Sequence, residues 1–162
     1  MTAGVLVVGY GNALRTDDGL GWHAAELLAE DPRLDGAAVL ARHQLTPELA
    51  LDVSRATLVV LVDASNGPSP GTFTIGRVEP GGRNGSTWSH HLDPASLVGL
   101  ALELYDRAPE VYLVSVGAAS LEVGDHLSPQ LEAALPGVVD AVAEIVASRI
   151  ARPDPVSARN HA

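Results

Sequence analysis

The chain has 162 residues, of which 46% are hydrophobic and 19% are charged, as in ordinary soluble globular proteins. Its formal net charge of −10 disfavours nucleic acids and anionic membranes as partners, because like charges repel. The chain contains no cysteine, which excludes disulfides, thiolate metal ligands and a cysteine nucleophile and is compatible with a cytoplasmic protein. We see no apolar run of membrane-spanning length and no signal-peptide pattern. We expect one domain over residues 1–151 and a disordered tail over residues 152–162.

Strand-like and helix-like patterns alternate along the sequence. Strands are predicted over residues 4–8, 37–40, 57–62, 72–78 and 111–116. Helices are predicted over residues 19–29, 46–55, 94–105 and 128–150, the last interrupted or kinked at Pro136. This alternation favours an α/β fold, in which helices cover both faces of a mainly parallel sheet.

The segment that follows the first strand carries the strongest functional signal. Residues 9–12 read Gly-Tyr-Gly-Asn, and Gly9 and Gly11 permit a sharp turn at the carboxyl end of the strand, where α/β proteins bind ligands. Asp17 and Asp18 follow, just before the first predicted helix. One carboxylate there could cap the helix. Two adjacent carboxylates repel each other, so the pair needs a cation, a network of donors or a protonation role.

Two later positions supply further candidate side chains. Asp63 follows a buried strand and could either line the edge of the sheet or bond its own backbone in a turn over residues 65–68. His90 and His91 precede the start of the 94–105 helix, and imidazole is a common metal ligand. Two carboxylates and one imidazole on three separate loops could form a metal site with open positions, suited to nickel, zinc or iron.

Taken in chain order, these segments resemble the hydrogenase maturation proteases. Members of this family are endopeptidases that remove a carboxy-terminal extension from the large subunit of nickel–iron hydrogenases after nickel has been inserted. The resemblance covers nearly the whole chain, and it is carried by residues 9–12, 17–21, 59–64, 89–92, 120–122 and 127–129.

The resemblance implies a fold, a site and a partner. The fold is a three-layer α/β/α sandwich around a twisted, mostly parallel sheet. The metal-contacting positions fall on Asp18, Asp63 and His90, with His91 in place of His90 if the loop is shifted by one residue. The implied partner is the precursor of a nickel–iron hydrogenase large subunit, and the nickel is carried by that substrate.

The chemistry of hydrolysis stays open at this stage. The substrate's nickel could polarise the scissile carbonyl or acidify a water, or Asp17 or Asp18 could act as the catalytic general base. Residues 42–48 read Arg-His-Gln-Leu-Thr-Pro-Glu where many family members have Asp-Gly-Gly-Thr, which suggests a branch with a different hydrogenase substrate.

Two other functions are compatible with parts of the sequence. A non-catalytic metal-binding accessory protein of hydrogenase assembly would use the same three ligands. A nucleotide-binding oxidoreductase would use Gly9 and Gly11, but its fingerprint requires a small residue where this chain has Leu14. Asp17 and Asp18 would also repel a bound pyrophosphate.

Overall fold

The computed structural model describes residues 4–81 and 92–151. Short 3-10 turns span Thr16–Gly19 and Pro32–Leu34. The main elements are β1 (Val5–Tyr10), α1 (Leu20–Ala29), β2 (Ala38–Arg42), α2 (Leu49–Arg55), β3 (Leu58–Pro70), β4 (Phe73–Arg77), α3 (Pro94–Tyr105), β5 (Glu110–Gly117) and α4 (Pro129–Ala151). Within the described ranges, none of the helices has the length and hydropathy needed to cross a membrane.

The strands form one sheet in the order β2-β1-β3-β5-β4. Neighbours from β2 to β5 are parallel, and β4 joins β5 antiparallel at one edge. Gly9 of β1 lies opposite Val62 of β3. The residues that follow are Tyr10 on β1 and Asp63 on β3. These two side chains therefore lie next to each other at the carboxyl end of β1.

The core lies on both faces of the sheet, because alternate strand residues point in opposite directions. Val5 and Val7 of β1 pack in a cluster with apolar residues of α1 and α4. Leu6 and Val8 pack on the other face with residues of α2 and α3. The predicted three-layer α/β/α arrangement with a mostly parallel sheet is confirmed.

Strand β3 is longer than the sequence pattern predicts. It does not end at Asp63 but continues beside β5, and the turn expected over residues 65–68 is replaced by strand with an irregularity. Ser65 and Pro70 both lie opposite Gly117, so the intervening residues form a bulge. Asp63 is therefore paired with Ser115 of β5, and its backbone is more rigid than that of a turn residue.

Two helices also differ from their predicted form. Helix α2 begins at Leu49, and Thr46 provides no side-chain cap. Helix α4 runs without interruption through Pro136. Leu131 and Val138, on either side of that proline, are both buried in the same core cluster. Their packing offsets the backbone hydrogen bond that proline removes.

Helix α1 lies unusually close to the sheet because glycines face each other across the contact. A Cβ on Gly9 would collide with the Gly21 carbonyl oxygen, and a Cβ on Gly21 would lie 2.7 Å from the Val62 oxygen and collide with the Tyr10 backbone. Gly9 therefore allows α1 to pack closely against β1, and it does not make the turn expected from the sequence. Gly11, with a φ of 139°, makes that turn.

We predict that Gly21→Ala lowers the free energy of unfolding by about 3 kcal/mol, because the three atoms nearest to the new methyl group all belong to the backbone of the sheet. Gly76→Ala is the matched control, since a Cβ at Gly76 has nothing within 4 Å. Urea denaturation of both variants measures the difference. Equal stability of the two variants would show that α1 can move away from the sheet without cost.

Candidate functional site

The turn after β1 fixes the position of Asp18. A Cβ on Gly11 would collide with the Asp18 carbonyl oxygen, so this approach requires glycine. The backbone N–H of Asn12 donates to Asp18 Oδ2 at 2.8 Å, and the Leu14 N–H donates to Asn12 Oδ1 at 2.9 Å. The N-cap of α1 is Gly19, and no side chain of the described residues caps that helix. The expectation that one of the paired aspartates caps α1 is therefore wrong, and Asp18 is oriented by the turn.

Asp63 is half-buried, and its two carboxylate oxygens have different surroundings. The Tyr10 hydroxyl donates to Asp63 Oδ2 at 2.9 Å. Oδ1 is buried and has no hydrogen-bond partner among the described residues. Most buried carboxylate oxygens are bonded. An oxygen left in this state is suited to a ligand that brings a positive charge or a donor.

Burial is the largest influence on the pKa values of Asp63 and Tyr10. It raises the pKa of Asp63 to about 6; the hydrogen bond from Tyr10 and a weaker interaction with the Ser115 hydroxyl oppose the rise, and the charge of Asp18 adds to it. The pKa of Tyr10 is raised far above its ordinary value by burial and by the Asp63 charge, so its hydroxyl remains a donor at neutral pH. Asp18 and Asp63 are thus close enough for their charges to interact, as a shared site requires.

The predicted imidazole ligand is not tested. His90 and His91 lie outside the described residues, and the residues that are described contain no cluster of three metal-ligating side chains. Leu92, where the described chain resumes, donates its N–H to the Leu45 carbonyl at 3.2 Å. The charge of the next residue, Asp93, also raises the pKa of Tyr10. The start of α3 is therefore within electrostatic range of Tyr10.

Asp17 lies in a different environment from Asp18, with a side chain that is 0% exposed. Its Oδ2 accepts hydrogen bonds from the N–H groups of Ala119 and Ser120, at 2.7 and 2.8 Å, and from the Ser128 hydroxyl. Its Oδ1 accepts from the Ser128 N–H at 2.8 Å. Burial opposes ionisation, but these donors outweigh it and hold the pKa of Asp17 below its ordinary value. The Asp17 carboxylate therefore holds the acidic turn against residues 119–128, and its role as a general base stays a prediction.

Residues 118–128 are attached to the acidic turn at several further points. Thr16 has a φ of 49°, a strained conformation for a β-branched residue. Its N–H donates to the Gly124 carbonyl at 2.9 Å, and its hydroxyl donates to the Glu122 carbonyl. Sequence reasoning noted this loop only for its resemblance. The available signal was the pair of adjacent aspartates, because a buried member such as Asp17 requires donors from elsewhere in the chain.

We predict that Asp17→Asn destabilises the chain by about 3 kcal/mol, because an amide nitrogen would face the donors that now converge on a carboxylate. The lowered pKa adds a pH dependence. The stabilisation by Asp17 is present above its ordinary pKa of 3.8 and is lost as the pH falls through its lower folded value.

Thermal unfolding from neutral to acidic pH tests this prediction. Asp52→Asn is the matched control, since Asp52 is exposed on α2. An Asp17→Asn variant as stable as this control would show that the Asp17 carboxylate does not hold the acidic turn.

We predict that Asp63→Asn changes stability in the opposite direction to Asp17→Asn. A raised pKa means that ionising Asp63 destabilises the folded chain. This cost is absent below pH 3.8 and complete above pH 6. The substitution should therefore raise Tm at about pH 8 and change it little at about pH 4. A lower Tm at both pH values would show that the Asp63 charge is satisfied in the folded chain.

No protein-family model matches the chain, and no curated protein matches it at a significant level. Solved structures do match. HybD from E. coli, a hydrogenase maturating endopeptidase, is 26% identical, with a TM-score of 0.65 over 86% of this chain and 89% of that one. A hydrogenase 2 maturation peptidase from Thaumarchaeota archaeon SCGC_AB-539-E09 is 24% identical, with a TM-score of 0.68 over 88% and 97% of the two chains.

A third solved structure is the NiFe hydrogenase maturation protease HycI from Thermococcus kodakarensis KOD1. It is 22% identical, with a TM-score of 0.69 over 89% of this chain and 92% of that one. The resemblance predicted from the motifs is thereby confirmed: over 86–89% of its length, this chain is similar in fold to the hydrogenase maturation proteases.

Proposed function

We propose that this chain is an endopeptidase that removes the carboxy-terminal extension of a nickel–iron hydrogenase large-subunit precursor after nickel insertion. Structural relatives named as endopeptidases and proteases support the peptidase activity. The observation that carries the proposal is the interacting pair Asp18 and Asp63 at the carboxyl edge of the sheet, with one Asp63 oxygen buried and unbonded among the described residues.

Nickel in the precursor is the feature that the site would recognise. Asp18, Asp63 and His90 would complete its coordination, since nickel accepts carboxylate and imidazole ligands. A divalent cation would remove the repulsion between the two carboxylates and supply the missing partner of Asp63 Oδ1. A precursor without nickel would present no such charge, so the two carboxylates would disfavour its binding.

Hydrolysis adds water across the scissile peptide bond. In our proposal, Asp18 takes a proton from the attacking water as the water oxygen bonds to the carbonyl carbon. The proton then passes to the nitrogen of the leaving segment as the C–N bond breaks. Of the neighbouring acids Asp17 and Asp18, Asp18 is the one that can accept the proton, because Asp17 has no exposed oxygen. The absence of cysteine is compatible with a cytoplasmic location, where we propose that the reaction takes place.

We predict that the purified chain cleaves nickel-loaded precursor and leaves nickel-free precursor intact. Asp63→Asn and His90→Ala should each lower kcat/KM for the loaded precursor by about 10–100-fold, because each removes one contact with the metal. His126→Ala is the matched control, since its side chain is 82% exposed. Mass spectrometry of the released extension measures the rate.

The outcomes separate the candidate functions. Equal cleavage of both precursors would contradict metal recognition. Nickel-dependent binding without cleavage would identify the accessory protein in place of the peptidase. A larger loss in His91→Ala than in His90→Ala would transfer the ligand role to His91.

A further inference from the structure

The two most exposed large apolar side chains of the described residues lie at the border of the acidic site. Val123 and Leu14 are 89% and 63% exposed, the highest values for large hydrophobic residues in the described ranges. Leu121, from the same loop as Val123, is exposed as well. We name Leu14, Leu121 and Val123 the apolar rim. Grouped exposed apolar residues of this kind mark interaction sites more often than isolated ones do.

Backbone pairing places the two main members of the apolar rim side by side. Arg15 and Gly124 form a parallel bridge. The Gly124 N–H donates to the Leu14 carbonyl, and the Thr16 N–H donates to the Gly124 carbonyl, both at 2.9 Å. Leu14 and Val123 directly precede the two bridge partners, so their backbones lie close together.

The apolar rim is held in its exposed position. The buried Asp17 carboxylate bonds Ala119, Ser120 and Ser128, at both ends of the loop that carries Val123. The loop cannot fold inward to cover its own apolar side chains without breaking these bonds. A preformed surface loses little conformational entropy on binding.

The apolar rim is continuous with the proposed active site. The Leu14 N–H bonds the Asn12 side chain, and the Asn12 N–H bonds the Asp18 carboxylate. At the other end of the loop, the Ala118 N–H bonds the Ser65 carbonyl at 2.9 Å, two residues beyond Asp63. A peptide that reaches the two acids along this side must pass over the apolar rim.

Size and charge indicate what the rim would bind. A stable dimer buries about 800 Å² on each partner, which is more than three side chains provide, so a peptide segment fits better than a second copy of the chain. Glu122 and Asp125 flank Val123 and are exposed. The nearby Arg15 donates its Nε to the Leu121 carbonyl at 3.3 Å. Two carboxylates and one guanidinium leave a net negative charge beside the rim, which favours an apolar side chain with basic neighbours.

We infer that the apolar rim is the docking surface for the extension of the precursor, and that it binds an apolar residue of that extension flanked by basic ones. The inference rests on the proposed function and names the part of the substrate that the chain reads in addition to the metal. Metal and rim would then act together, with nickel reporting maturation and the rim reporting an extension still to be removed.

The test compares the double variant Leu14→Ser/Val123→Ser with wild type in binding two nickel-free subunits, one with the extension and one without it. Nickel-free subunits keep cleavage and metal contacts out of the measurement. We expect Kd for the extended subunit to rise about tenfold or more in the variant, because apolar contact is lost, while Kd for the truncated subunit stays unchanged. Leu104→Ser is the matched control, since Leu104 is 55% exposed on α3.

An unchanged Kd, or an equal rise for both subunits, would overturn the inference. Val123→Thr, which keeps the shape of the side chain, provides a second variant if the double variant does not fold. Cleavage of nickel-loaded precursor by wild type is scored separately. Cleavage with a Kd that is independent of the rim would contradict only this inference. A rim-dependent Kd without cleavage would contradict only the peptidase proposal.

Discussion

The carboxylate of Asp17 joins two distant parts of the chain, and the geometry of the site depends on it. Three backbone N–H groups and one hydroxyl donate to it from residues more than a hundred positions away. A buried acid with this many donors remains charged and fixes its partners strongly. The neighbouring Asp18 projects from the same short turn, so its position is set by that connection. The exposed loop over residues 118–128 is fixed by the same four hydrogen bonds.

Asp17 and Asp63 thus have opposite effects on the stability of the fold. Asp17 is fully satisfied and contributes stability when ionised, whereas Asp63 is forced to ionise in a half-buried place with one oxygen unbonded. Structures retain such unfavourable charges where a ligand compensates for them. In our account the ligand is the nickel of a correctly assembled precursor. The repulsion between Asp18 and Asp63 without a metal would then be the source of discrimination between nickel-loaded and nickel-free precursor.

Sequence patterns were sufficient for the layers of the fold, because β1 and the first part of β3 are continuous apolar runs and α3 has both an N-cap and a first-position proline. They were not sufficient for Asp17. Its donors lie on a loop without periodicity, and a short-range capping role was the simpler interpretation of an acid before a helix. Asp63 lies beside the carboxyl end of β1, as predicted, although β3 itself continues past it. Its hydrogen bond with Tyr10 depends on the register of β1 and β3, which only the assembled sheet defines.

The most direct test of the central claim is X-ray absorption at the nickel edge, on nickel-loaded precursor alone and in freeze-quenched complex with this chain. The account predicts that complex formation adds oxygen or nitrogen ligands to the nickel, and that Asp63→Asn reduces the number added. A nickel spectrum that does not change when the two proteins bind would contradict the claim that Asp18 and Asp63 meet the metal of the substrate.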